Sequence, residues 1–345
     1  MTGTVMPHPT GIPYPRREPP LMKRSEIVRR AIEFDNPPRL PMKFEIFGYN
    51  DCYDVWTRDT TAFQELGTGP DEWNCRWEKS EVRNTGQIRG HPIPDITKQG
   101  EYRFPDPVAP ARYAQLEEAI AGAQDRYVMF CGGNGIFERA HFLCGMSPFL
   151  EALYTEPDDA AELVSRIGDF HIRVLKRVIE IGKGRIHSVA WADDWGTQQA
   201  TFIGLETFRR FFKPVYERMF DVAHESGLHV WLHSCGKINL FVGELIEVGL
   251  NVVNSQQPRT VGIDAMGEAY AGKICFESIV DTQSTFPFGT REEIEAEARE
   301  LLAKWNTPRG GFIASDYFDA EAIGTTLERR AWAFEAFSGF PPPRY

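Results

Sequence analysis

Cysteine is sparse: six residues in 345, at 52, 75, 131, 144, 235 and 275, with no dense spacing. That excludes a small disulfide scaffold and favours a reduced, cytoplasmic setting in which such residues pack as small apolar groups. No apolar run approaches the roughly 20 residues of a membrane span. Positive charge is also short, 38 Lys and Arg against 49 Asp and Glu, for a net charge of −11. No general affinity for nucleic acid or an anionic membrane is expected from that balance. The first 20 residues lack the apolar core of a signal peptide. They are polar and Pro-rich, so residues 1–22 read as an extended arm before a single domain over 23–345.

What is present is a repeating unit. Short β-branched or aromatic runs at 127–131, 186–192, 228–234, 250–254, 274–279 and 312–315 alternate with long amphipathic segments. One apolar stripe runs Val164, Ile167, His171, Val174, Val178 and Ile181, opened by Pro157 and closed near Gly182. Another runs from Phe208 to Ala223, where Pro214 predicts a kink. Strands alternating with helices imply parallel pairing. With 41–47 as a first strand, the count and the length predict a (β/α)₈ TIM barrel. A doubly wound sheet would carry a Gly-rich phosphate turn after that strand, and Phe47-Gly-Tyr-Asn50 is not one. Residues 48–110 break the pattern with Trp56, Trp73, Trp77 and turn signals, and read as an aromatic-rich insertion at the barrel mouth.

The residues suited to chemistry fall at strand C-termini. His233 and Cys235 are two apart at the end of a strand, so both point to one face, and imidazole plus thiolate is a zinc-type pair. Asp193 and Asp194 end the preceding strand and project to opposite sides, one toward the barrel axis and one toward a neighbouring loop or helix cap. Glu277 lies near the end of its strand as a third ligand or a general acid/base. The Gly residues of Phe130-Cys-Gly-Gly-Asn-Gly135 read as a place where a ligand approaches the backbone, beside Asn134. The run lacks the Lys of a phosphate-binding P-loop.

Several motifs carry a family resemblance: Asp71-Glu-Trp73, Tyr102-Arg-Phe-Pro-Asp-Pro107, Phe137-Glu-Arg-Ala-His-Phe-Leu-Cys-Gly-Met146, Ala192-Asp-Asp-Trp-Gly-Thr-Gln198, Leu232-His-Ser-Cys-Gly236, Val280-Asp-Thr-Gln283 and Phe286-Pro-Phe-Gly-Thr290. The chain resembles the uroporphyrinogen decarboxylase superfamily from about Lys23 to Phe337, which implies a (β/α)₈ barrel with its site at the strand C-termini. True decarboxylases of that superfamily carry an Arg-bearing segment after the first strand. Phe47-Gly-Tyr-Asn-Asp-Cys-Tyr53 stands there instead. His-x-Cys-Gly resembles the zinc-dependent methyltransferases of corrinoid systems, which implies zinc, a separate corrinoid protein and a thiol acceptor. Those enzymes take a third ligand, Cys, from the strand near 310–318. None is present here, and Asp316 and then Glu277 are the nearest candidates.

The expected enzyme is therefore a metal-assisted methyltransferase or demethylase acting on a small methylated molecule. Its metal set is His233, Cys235, Glu277 and Asp316, with Asp193, Asp194, Glu277 and His233 as catalytic groups. Arg139, Trp195, Gln198, Asn134 and Trp73 are the substrate-binding candidates, and a homodimer is common among members. The alternative is a metal-independent decarboxylase or lyase in which Asp193 or Asp194 stabilises a cation and His233 delivers a proton. A non-catalytic binder that keeps the pocket is the third reading.

Overall fold

The computed structural model describes residues 22–59, 61, 68–79 and 86–342. Apart from Met22, the arm 1–22 lies outside the described residues. Eight parallel strands form the ring: β1 (Met42–Phe44), β2 (Cys52–Trp56), β3 (Tyr127–Asn134), β4 (Ser188–Ala192), β5 (His229–His233), β6 (Val252–Asn254), β7 (Cys275–Ser278) and β8 (Phe312–Ser315). From β2 to β8 each strand pairs with the next, and β8 pairs with β1, while no ladder joins β1 to β2 among the described residues. The protein is a TIM barrel.

One strand was hidden in the sequence. β2 lies within 48–110, so that stretch is not an insertion throughout: the excursion begins after Trp56, where β2 ends. The inward parity of β2 is Cys52, Asp54 and Trp56, a carboxylate where barrel strands usually carry aliphatics, and this masked the strand. Beyond it, Gly69–Pro70, Arg76–Glu78 and Gln87–Gly90 form a small antiparallel sheet. Trp73 is buried between Phe104 and Phe170.

The helices follow the apolar stripes. α1 (Arg24–Ile32) places Val28 and Ile32 under the barrel, against Trp231, Tyr127 and Cys275. α2 (Ile136–Cys144) follows β3 directly. α3 (Pro157–Gly182) starts on Pro157 and ends in Lys183, whose left-handed backbone closes it. Pro214 does more than kink the next segment. It separates α4 (Leu205–Phe211) from α5 (Lys213–Glu225) and occupies the first turn of the second. α6 (Arg291–Trp305) opens with a capping box between Thr290 and Glu293, and α7 (Leu327–Ser338) packs on it. No helix among the described residues is long and apolar enough to cross a membrane.

The seam between β1 and β2 is closed differently from the rest of the ring. The short strand Tyr49–Asn50 folds antiparallel onto β1, and Asp51 then bridges the gap. Its carboxylate accepts two hydrogen bonds from Arg39, each 2.6 Å, and one from the Met42 amide at 2.9 Å. Both ends of this ion pair are buried. Asp51→Ala would strand the Arg39 charge and cost about 3–5 kcal/mol. A lower urea midpoint with a preserved circular-dichroism spectrum is the expected result.

Candidate active site

The C-terminal ends of the strands surround a cavity of about 690 Å³. On one side, β4 and β5 end beside each other with Ala192 in register with His233, and the next residues carry the site. Asp193 and Asp194 diverge there. Asp193 is fully buried and accepts hydrogen bonds from the Phe137 amide at 3.0 Å, the Glu138 amide at 2.7 Å and the Tyr216 hydroxyl. It caps α2, whose first turn attracts negative charge. Burial raises its carboxyl to about 6, against the pull of Tyr216 and the two amides. Asp193, expected among the catalytic groups, is thus engaged on every side by the fold.

Asp194 turns the other way. Its Oδ1 accepts from the Cys235 amide at 2.7 Å and stands 3.7 Å from His233 Nε2, while Cys235 Sγ is 3.4 Å from the same nitrogen. One donor atom from each of Asp194, His233 and Cys235 lies within 4.8 Å of the others. His233 Nδ1–H donates to Asn254 Oδ1 at 2.6 Å, which fixes the ring and leaves the Nε2 lone pair toward the trio. The His233 and Asp194 side chains are 28% and 40% exposed, so the donors face open space. Burial first, then the Asp194 charge, pushes the Cys235 thiol up. A thiolate there calls for a cation beside it. Gly236, with φ of +80°, makes the sharp exit: a side chain would strike the Gly196 carbonyl.

These donors fit zinc. Tetrahedral Zn–N and Zn–S bonds of about 2.1 and 2.3 Å set an N-to-S edge of about 3.6 Å, close to the 3.4 Å found. Imidazole, thiolate and carboxylate are all zinc ligands, and three of them leave a fourth position free.

The other expected ligands are placed elsewhere. Asp316 is held by an ion pair with Arg330, and Glu277 by Trp231 Nε1 at 2.7 Å and Lys43 Nζ at 3.1 Å. Both line the cavity that His233 also lines, but neither joins the donor trio. Trp195 is not a pocket wall: it is buried against Phe137 and Phe212, with its indole N–H on the Tyr216 oxygen at 3.0 Å. Gln198 sits on an exposed turn, bonded to Gln257 and Thr260. Arg139, Asn134 and Trp73 do come together, around a smaller cavity of about 150 Å³. There Arg139 stacks 4.7 Å from the Trp73 ring centroid and pairs with Asp71.

Three residues escaped notice in the sequence: Asn254, Lys43 and Asp54. Asn254 stands in register with His233 on the next strand, a relation visible only once the parallel ladder is known. Burial alone would push the Lys43 ammonium down, but Asp54 and Glu277 outweigh it and hold it above its ordinary value. Burial also raises the Asp54 carboxyl.

The uroporphyrinogen decarboxylase (URO-D) family model matches residues 84–316, two thirds of the chain and all the strand ends just described except those of β1 and β2. The chain belongs to the uroporphyrinogen decarboxylase family. Among solved structures, a methyltransferase from Methanosarcina mazei is similar over 92% of this chain and 99% of its own, at 16% identity and a TM-score of 0.68. The Penicillium canescens endo-1,4-beta-xylanase XylE aligns over 93% and 99%, at 10% identity and a TM-score of 0.43. No curated protein matches the chain. The first likeness establishes that this family member shares its barrel with a methyltransferase.

Gly135 is where the glycine reading needs correction. A Cβ there would stand 2.4 Å from Asp193 Oδ2, so the close approach it permits is that of a carboxylate from the protein itself. Gly135→Ala should cost about 1–3 kcal/mol by forcing that carboxylate away. Gly100→Ala, whose added methyl meets nothing within 4 Å, is the control. The urea midpoint should fall for the first and stay within error for the second.

Proposed function

We propose that this protein is a metal-assisted methyltransferase or demethylase, with zinc held by Asp194, His233 and Cys235. The observation that carries the reading is the convergence of those three donors at the barrel mouth, with Asn254 orienting the imidazole. Family membership and the methyltransferase-like fold support it. When bound, zinc supplies Lewis acidity that lowers the pKa of a thiol or polarises an oxygen.

The residues divide the remaining work. Asn254 holds His233 in the tautomer that presents Nε2. The Cys235 amide holds Asp194 in place, and Asp193 anchors the strand end from which Asp194 projects. The cavity beside His233 takes a small methylated molecule, and a separate corrinoid protein is the methyl donor or acceptor at its mouth. The metal-independent lyase has less support, because Asp193 is fully buried and turned into the helix layer, which leaves Asp194 alone of the two acids to meet a substrate.

Metal content tests the reading. Protein purified without added metal or chelator should hold about one zinc per chain. Asp194→Ala, His233→Ala and Cys235→Ala should each lose it, while Glu277→Gln and Asp316→Asn should keep it. Loss in the last two but not in Asp194→Ala would overturn the donor set, and absence of metal even after reconstitution would overturn the reading itself. Asn254→Ala should retain the fold and weaken zinc affinity about 10- to 100-fold, read by competition with a chelating dye.

A further inference from the structure

Across the cavity from His233, three charges meet. Lys43 Nζ lies 3.1 Å from Glu277 Oε1 and 4.0 Å from Asp54 Oδ1. Glu277 is satisfied on both sides, since its other oxygen accepts from Trp231 Nε1. Asp54 Oδ1 is different: it is buried from solvent and has no hydrogen-bond partner. A buried acceptor left unpaired is costly unless something fills the place. Lys43, Asp54 and Glu277 all line the 690 Å³ cavity.

At 4.0 Å the two atoms are too far apart for a hydrogen bond and too close to admit an atom between them, so a shared partner sits beside the pair. An oxygen about 2.8 Å from both Nζ and Oδ1 subtends an angle of about 90°, open enough for a hydroxyl to use a lone pair toward one and its proton toward the other. The chemistry of the two sides selects the occupant. Lys43 only donates, and an ionised Asp54 only accepts. An ammonium would place donors against donors at Lys43 and add a like charge there. A carboxylate has no proton for Asp54 and would add a third negative charge beside Asp54 and Glu277. An ether oxygen accepts from Lys43 but leaves Asp54 unpaired. A hydroxyl satisfies both.

The rest of the cavity describes the body that carries this hydroxyl. Trp56 and Phe318, 58% and 81% exposed, line it together with Trp191. Large aromatic side chains this open at a cavity suit a flat apolar ligand. We propose that Lys43 and Asp54 form a specificity subsite for the hydroxyl of a neutral, ring-sized substrate, a phenol or an alcohol of similar size. The inference deepens the proposed function in taking this cavity as the substrate pocket, but none of its contacts involves the metal trio.

Calorimetric titration of the full chain, stripped of metal, separates the two. The probes are phenol, anisole, benzoate and benzylamine, which share a ring and differ in the group offered to the subsite. Phenol should bind at least about tenfold more tightly than each of the others, the worth of a hydrogen bond to a charged group. Asp54→Ala and, independently, Lys43→Met should bring phenol to the level of anisole. Should Lys43→Met fail to fold, Asp54→Ala carries the test alone, because it leaves the Lys43–Glu277 pair intact. Benzoate or benzylamine binding as tightly as phenol, no binding of phenol, or a phenol preference that survives Asp54→Ala would each overturn the subsite. Retained phenol selectivity in a protein that never takes up zinc would overturn the metal reading and leave the subsite standing.

Discussion

The Asp193 carboxylate is the constraint on which the arrangement of the site depends. It is fully buried, yet it is shared among the first turn of α2, the Tyr216 hydroxyl on α5 and the crowded approach at Gly135. Backbone bonds reinforce the same junction: the Gly135 amide donates to Ala192, and the Asp193 amide to His233. Three consecutive strand ends, those of β3, β4 and β5, are thereby locked in register. With Asp193 turned outward into the helix layer, the next residue has to face the other way, and Asp194 meets Cys235 and His233. A structural cap thus aims, one residue later, the carboxylate of the proposed metal trio. The Tyr216 oxygen passes the constraint on to Trp195 and the ring cluster around it, so the site rests on one of the most tightly packed parts of the molecule.

The barrel interior is divided by height. Its lower part is apolar, with Met129, Val252, Cys275 and Ile313 closed from below by Val28 and Ile32 of α1. Its upper part holds Lys43, Asp54 and Glu277, and Asp316 paired with Arg330 lines the same cavity. Charges buried or half-buried in a barrel persist most readily when each is paired or bonded. Glu277, Asp316 and Lys43 meet that condition within the chain, while one oxygen of Asp54 does not. The polar layer is therefore nearly self-sufficient among the described residues, where Asp54 Oδ1 and the Ser315 hydroxyl, in register with Lys43, are the atoms left without a partner.

What the sequence disclosed follows the range of the interactions involved. β3 to β8 were legible because each is a run of β-branched or aromatic residues bounded by helices of clear period. β2 was not, because Asp54 sits where a hydrophobic residue would have marked an inward face. His233 and Cys235 were legible because both lie at one strand end with two-residue spacing, a purely local relation. The part played by Asp194 was only half visible. That two adjacent acids must diverge follows from strand geometry, but which of them meets Cys235 depends on where α2 begins, 55 to 56 positions earlier in the chain. Asp316 stands nearest the place where the family resemblance implies a third ligand, and Arg330, one helix later, claims it.

The identity of the third donor bears on what such a site favours. Imidazole, thiolate and carboxylate carry the same formal charge as imidazole with two thiolates, so the electrostatic demand for a divalent cation is unchanged. What differs is softness. A carboxylate gives less electron density than a thiolate, so a metal held by Asp194 stays harder and more polarising toward its open position. A harder centre discriminates less strongly in favour of sulfur and more readily accepts oxygen. In the proposed subsite the cavity beside it has the same leaning, with the unpaired Asp54 oxygen matched by a hydroxyl and with exposed aromatic walls. The proposed zinc site and the proposed hydroxyl subsite, one through ligand chemistry and the other through hydrogen-bond complementarity, thus carry the same expectation of an oxygen-bearing molecule.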